Sequence, residues 1–147
     1  MDIESIKSFV DYFIIGILLL MSFITIWFWI ERVLFFKNIK LSSYTTKEQL
    51  ELDLTNNTTI ISSIASNAPY IGLLGTVLAV IITFYQISLT AQMDTKVIMS
   101  SLALALKATA LGLVVAIPAI FFTNHIARKI EVLLTKWDIE INEDKKV

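Results

Sequence analysis

Three long runs of apolar residues, separated by polar segments, organise the chain of 147 residues. The runs lie at residues 12–30, 68–89 and 97–124, and only the third contains a charged side chain, that of Lys107. Because about 20 apolar residues cross the hydrocarbon core of a bilayer, each run is long enough to form a transmembrane helix in contact with membrane lipids. The pattern predicts an all-α membrane protein with three spans, of which the second and third extend into the cytoplasm.

The polar segments carry signals of helix formation. Thr46 followed by Gln49 is a capping box, which marks the start of a helix. Apolar residues then recur near the helical period at Leu50, Leu54, Ile61 and Ile64. We therefore expect a helical hairpin over residues 31–67, with a weak point at the sequence TNNTT (55–59). We also expect a helical tail over residues 125–147, with an apolar stripe that packs against the hairpin.

The distribution of lysine and arginine predicts the orientation of the spans, because these residues are enriched in cytoplasmic loops. A single lysine precedes the first run, whereas four basic residues follow it before position 48, and five follow the third run. The segment 90–96 between the second and third runs contains one lysine. We expect residues 1–11 and 90–96 to lie outside, and residues 31–67 and 125–147 to lie in the cytoplasm.

Composition excludes several classes of function. Hydrophobic residues make up 56% of the chain and charged residues 17%, which is too apolar for an ordinary soluble domain. Cysteine is absent and there is one histidine, so we expect no disulfide, no metal site and no cofactor. No nucleophile–base pair or phosphate-binding loop is visible, so an enzyme is not expected. The net charge of −1 argues against nucleic acid as a partner.

Small residues form a stripe along each of the last two runs. In the third run they are spaced three or four positions apart, at Ser101, Ala105, Thr109, Gly112, Ala116 and Ala119. The second run repeats the pattern at Ala68, Gly72, Gly75, Thr76 and Ala79. Small residues let membrane helices approach closely. Two interpretations are open: the stripes join the two spans within one chain, or they face a narrow, weakly polar lumen.

Few polar residues interrupt these runs. Thr76 and Thr109 are the polar side chains near the middle of their spans, and each could bond the carbonyl four residues before it. Pro118 removes one backbone hydrogen bond and permits a kink. Lys107 points away from the stripe, and we expect it to snorkel to the outer interface or to contact another subunit. No carboxylate lies inside any run, so a proton carrier would have to come from another protein.

The sequences APYIGLLGTV (68–77) and ATALGLVVAIPAIFFTN (108–124), with Arg128 beyond them, resemble the ExbB/TolQ/MotA family, and most closely its short ExbB variants. The resemblance implies a homopentamer in the bacterial inner membrane, whose second and third spans enclose the membrane helices of an ExbD-like subunit. That partner would bring a protonatable aspartate. Proton flow would then energise a TonB-like protein and, through it, transport across the outer membrane.

The resemblance also implies roles for single residues. Thr76 and Thr109 would line the pore and form the proton pathway, while Asn124 and Arg128 would lie at its cytoplasmic mouth. The residues that shape the helices would be Pro69, Gly72, Gly75, Gly112 and Pro118. Longer members carry a glutamate where this chain has Leu104, which puts in doubt a mechanism that needs a carboxylate from this subunit. The alternatives are a TolQ-like energiser, a flagellar-type stator, or a membrane scaffold that conducts no protons.

Overall fold

The computed structural model describes residues 3–89 and 95–144, and all of the regular structure in these residues is helical. Within these two ranges, four α-helices and one short 3-10 turn follow each other. They are α1 (Ile3–Asn38), the turn Leu41–Ser43, α2 (Lys47–Thr55), α3 (Thr58–Leu89) and α4 (Thr95–Asp144). Of these, α1, α3 and α4 are long and apolar enough to cross a membrane. The predicted all-α fold with three spans is confirmed, and the prediction for residues 90–94 lies outside the described residues.

The three long helices pack into one bundle. A cluster of Ile14 and Leu18 from α1 with Ala68 and Ala116 forms its centre, and Ile64, Ala65 and Ala119 form a second cluster beside it. The bundle also exposes large apolar side chains, among them Phe13, Leu19, Phe84 and Phe121. Alanines thus pack beside a few large residues between the helices, while many other large apolar side chains face outward, as expected where lipid surrounds a bundle.

A break between α2 and α3 occurs within the segment TNNTT. Asn57 has a φ of 59°, a left-handed conformation that asparagine tolerates better than most residues. The buried guanidinium of Arg32 on α1 donates to the carbonyl oxygen of Asp53 (3.0 Å), near the end of α2, and to Glu31 Oε1 (2.6 Å). Helix ends leave carbonyls without an intrahelical partner. Arg32 satisfies one of them and fixes the end of α2 to α1.

The end of α4 packs against α2 and the turn before it. Trp137 is buried with Leu50 and Leu54, and its Nε1 donates to the carbonyl oxygen of Tyr44 at 3.3 Å. Lys47 Nζ lies 2.6 Å from Asp138 Oδ2, and this hydrogen bond raises the pKa of Lys47. The predicted packing of the tail against the hairpin is confirmed.

Candidate functional site

The small-residue stripes of α3 and α4 lie against each other, so that the two backbones are in contact. A Cβ added to Gly72 would lie 2.7 Å from the carbonyl oxygen of Ala108, and one added to Gly112 would lie 2.7 Å from that of Ala68. Real Cβ atoms essentially never approach other atoms this closely. Both positions therefore require glycine for the close approach of the helices. The other buried members of the stripes are Gly75, Ala68, Ala79, Ala105, Ala116 and Ala119.

Gly75 lies where all three long helices meet. A Cβ at this position would lie 2.8 Å from the Cβ of Ala108 on α4 and 2.9 Å from Cγ2 of Ile14 on α1. Within one chain, the stripes thus join α3 to α4, as the first of the two interpretations expects. Whether the same region also borders a lumen stays a prediction.

Thr76 and Thr109 form a hydroxyl pair across this contact. Their Oγ1 atoms lie 2.7 Å apart, and Thr76 Oγ1 also donates to the carbonyl oxygen of Ala105 at 2.9 Å. Thr109 Oγ1 lies 3.4 Å from the carbonyl oxygen of Gly72. Each threonine thus reaches the carbonyl four residues before the other threonine. Thr76 also lies 3.4 Å from its own Gly72 carbonyl, the partner that the sequence suggested.

A count of hydrogens shows what this hydroxyl pair can do. Each hydroxyl has one hydrogen to donate and lone pairs to accept with. If Thr76 donates to Ala105 and Thr109 donates to Thr76, Thr109 Oγ1 keeps acceptor capacity. Both residues are only half-buried, so a group on the open side of the contact can reach them. The pair can therefore accept a hydrogen bond from a protonated carboxyl and, after rotation of a hydroxyl, donate one to a carboxylate.

The remaining predicted site residues lie apart from the hydroxyl pair. Pro69 is half-buried within α3, and Pro118 is exposed within α4, which continues through it. Asn124 is exposed, and the exposed Arg128 forms an ion pair with Glu131 (2.7 Å), one turn further along α4. These two lie toward the end of the third span, as their sequence positions require.

Lys107 and Leu104 are exposed on α4, outside the stripe. Both line a cavity of about 200 Å³ between α4 and α1, which Asp11 also lines. Sequence reasoning missed Asp11, since it searched for carboxylates only inside the apolar runs. The available signal was its position directly before the first run, at the boundary where a snorkelling lysine would also lie.

The fold and the hydroxyl pair define a helical membrane protein with three spans, whose second and third spans join through glycine contacts. The chain belongs to the MotA/TolQ/ExbB proton channel family, whose model matches residues 30–139. Members of this family are channel or energiser subunits. The chain is therefore a channel or energiser subunit of this family, in agreement with the resemblance seen in its sequence.

Individual relatives support the ExbB assignment. The chain is 50% identical over 135 residues to the biopolymer transport protein ExbB of Aquifex aeolicus (strain VF5), over 92% of this chain and 91% of that protein. It is 49% identical over 134 residues to that of Helicobacter pylori (strain J99), over 91% and 92% of the two chains. The Tol-Pal system protein TolQ of Haemophilus influenzae is 35% identical over 80 residues, which is 54% of this chain and 35% of TolQ.

Proposed function

We propose that the chain is the channel subunit of an inner-membrane complex that uses the proton gradient to energise TonB-dependent transport across the outer membrane. Its partners would be an ExbD-like subunit, which enters a central pore, and a TonB-like protein. Membership of the proton channel family and the identity to two ExbB proteins over most of both chains support this proposal. The shorter match to TolQ favours the ExbB function over a TolQ-like one.

The observation that carries the proposal is the hydroxyl pair of Thr76 and Thr109 in spans that contain no carboxylate. A proton that crosses the membrane needs a titratable carrier, and intramembrane carboxylates are the usual one. In this proposal, a partner's aspartate supplies it. The aspartate would be protonated, and so neutral, where its surroundings are apolar, and it would exchange its proton beside the hydroxyl pair. There a hydroxyl can accept a hydrogen bond from the protonated carboxyl or donate one to the carboxylate.

The pore itself would form when five copies assemble around the partner. Thr76 and Thr109 would then contribute a ring of hydroxyls, and the glycine contacts Gly72–Gly112 would hold each pair of helices in register. Asn124 and Arg128 would lie at the cytoplasmic mouth, where both are accessible in the single chain. The pentamer and these positions follow from the resemblance to the family.

Replacement of Thr109 tests this role directly. Thr109→Val keeps the shape of the side chain and removes the hydroxyl. We expect energised uptake to fall about tenfold, the order of effect of one lost hydrogen bond to a charged group, while the complex still assembles. The lost hydrogen bonds between membrane helices cost only about 0.6 kcal/mol on average. Thr109→Ser, which keeps a hydroxyl, should lose less. Growth that depends on energised uptake is scored beside the amount of intact complex.

Thr83→Val provides a matched control. Thr83 is buried in the same helix as Thr76, and its hydroxyl donates to its own Ala79 carbonyl at 2.8 Å. This variant should transport normally. If Thr109→Val transports like Thr83→Val at equal levels of complex, the hydroxyl pair only packs the helices and the proposed pathway is wrong. Co-purification without any partner that has a membrane aspartate would instead favour a scaffold.

The proposed orientation places the N-terminus in the periplasm and the ends of α2 and α4 in the cytoplasm. It rests on the basic residues that follow the first and third runs. A cysteine at Ser43 should resist a membrane-impermeant thiol reagent in intact cells, and one at Gln92 should react. The chain has no native cysteine to confuse the result. Labelling at Ser43 and none at Gln92 would invert the topology.

A further inference from the structure

The cavity between α1 and α4 contains two opposite charges that do not pair with each other. Asp11 and Lys107 both line this cavity of about 200 Å³, together with the polar side chains of Ser8 and Tyr12. Among the residues that the structure describes, neither Asp11 nor Lys107 has an ion-pair partner within 4.0 Å. Lys7, one turn from Asp11 on α1, instead donates to Ser101 Oγ on α4 at 3.1 Å.

The cavity lies at one boundary of the hydrocarbon core. Helix α1 rises about 32 Å between Asp11 and Arg32 at about 1.5 Å per residue, which matches a core about 30 Å thick. The residues between these two charges include no other charge except Glu31, the neighbour and ion-pair partner of Arg32. Asp11 therefore marks the level of lipid headgroups, and Lys107 shares that level because it lines the same cavity.

Size and chemistry together limit what can occupy this space. A volume of about 200 Å³ is several times the space that one water molecule needs, so the cavity has room for a small headgroup. The Lys107 ammonium can donate hydrogen bonds to a phosphate, and the Asp11 carboxylate can accept them from an ammonium that carries N–H groups. Leu104, Ile15 and Ala108 complete the wall with apolar surface against which the start of an acyl chain can lie.

We propose that this cavity binds the headgroup of a zwitterionic phospholipid with a primary ammonium, that is, a phosphatidylethanolamine. The Lys107 ammonium and the Tyr12 hydroxyl hold the phosphate, while the Asp11 carboxylate accepts from the lipid ammonium. A phosphatidylglycerol carries the same phosphate but no ammonium, so it would leave Asp11 without a cation. A phosphatidylcholine has no N–H group on its ammonium to donate to Asp11. The lipid would fasten α1 to α4 independently of the proposed proton pathway.

Lipid retention by the intact complex tests this site. The complex is purified in mild detergent, exchanged into mixed micelles that contain equal amounts of the three lipids, and analysed by native mass spectrometry. We expect wild-type protein to retain phosphatidylethanolamine preferentially. Lys107→Leu should reduce retention of phosphatidylethanolamine and phosphatidylglycerol about tenfold, the usual order of effect for a lost charge-assisted hydrogen bond. Lys129→Leu, an exposed lysine elsewhere on α4, serves as the control.

The decisive variant is Asp11→Asn. Because it removes only the negative charge, it should shift the preference from phosphatidylethanolamine toward phosphatidylglycerol, while total retention persists. A variant that merely loosened the fold would lose all lipids alike. Equal retention of the three lipids by wild type, or an unchanged preference in Asp11→Asn, would overturn the proposal. Loss of subunit assembly in Asp11→Asn and Lys107→Leu without any change in lipid preference would also overturn it and assign the cavity to a contact between subunits.

Discussion

Gly72→Ala perturbs the closest contact between α3 and α4. The new Cβ would lie 2.7 Å from the carbonyl oxygen of Ala108 and 3.1 Å from the Cα of Gly112. These neighbours are backbone atoms, which cannot rotate away as the end of a flexible side chain can. An ordinary contact begins at 3.4 Å, so the helices must separate by about 0.7 Å at this level.

The magnitude follows from this separation. A gap of about 0.5–1 Å forfeits a quarter to a half of each dispersion contact that it opens, and overpacking of a filled interior typically costs about 1–3 kcal/mol. Alanine is a better helix former than glycine by about 1 kcal/mol in water, which offsets part of this cost. Gly16→Ala has the same gain in helix propensity without the clash, since a Cβ at Gly16 would meet nothing within 4 Å, so it serves as the control. We expect Gly72→Ala to be less stable than Gly16→Ala by about 2 kcal/mol.

Reversible unfolding in mixed micelles, followed by tryptophan fluorescence, measures this difference. The same separation should lengthen the 2.7 Å contact between Thr76 and Thr109, so energised transport should also fall in Gly72→Ala but not in Gly16→Ala. If the two variants are equally stable, the backbones of α3 and α4 do not approach as closely as described. The reasoning from the glycines would then fail.

Two further predictions concern the cluster around Trp137, whose fluorescence reports on it. Leu50→Ala should destabilise the docked α2 by about 2–5 kcal/mol. Leu52 lies on the same helix with its side chain 72% exposed, so Leu52→Ala should stay within about 0.5 kcal/mol of wild type. Equal effects of the two variants in denaturant titrations would refute the described packing. Burial, aided by the hydrogen bond to Asp53, raises the pKa of Tyr44 above 10.0 in the folded protein. The stabilisation that the protonated Tyr44 hydroxyl contributes is therefore complete below pH 10.0, and it is lost as the pH rises through the pKa of the folded state. Tyr44→Phe should abolish this alkaline component, and an unchanged pH profile in that variant would contradict the assignment.

Much of the fold could be predicted because its signals are local. Long apolar runs predict the three spans. The capping pattern predicts the start of α2, where the backbone N–H of Gln49 donates to Thr46 Oγ1 at 3.4 Å. The weak point at TNNTT also coincides with the break between α2 and α3. These features depend on residues that are close in the sequence or that share one helical face, and both relations can be read from the sequence.

The contacts that cross between helices were less predictable. The stripe indicated close packing, but the sequence could not decide whether its partner is another helix of the same chain or a lumen. From the sequence, Thr76 and Thr109 could each bond the carbonyl four residues before it. Thr76 does reach its own Gly72 carbonyl at 3.4 Å, but the two hydroxyls also bond each other, and each reaches the carbonyl four residues before the other threonine. Such contacts depend on the relative rotation and height of two helices. The same limit hid the cavity that Asp11 and Lys107 share.

Proton flux in reconstituted vesicles tests the central claim most directly. Vesicles that contain only this chain should hold an imposed pH gradient, because its spans contain no carboxylate. Vesicles that also contain an ExbD-like partner should dissipate the gradient, and Thr109→Val should slow that dissipation. Leakage that is equally fast without the partner would contradict the account, since the proton carrier would then have to belong to this chain.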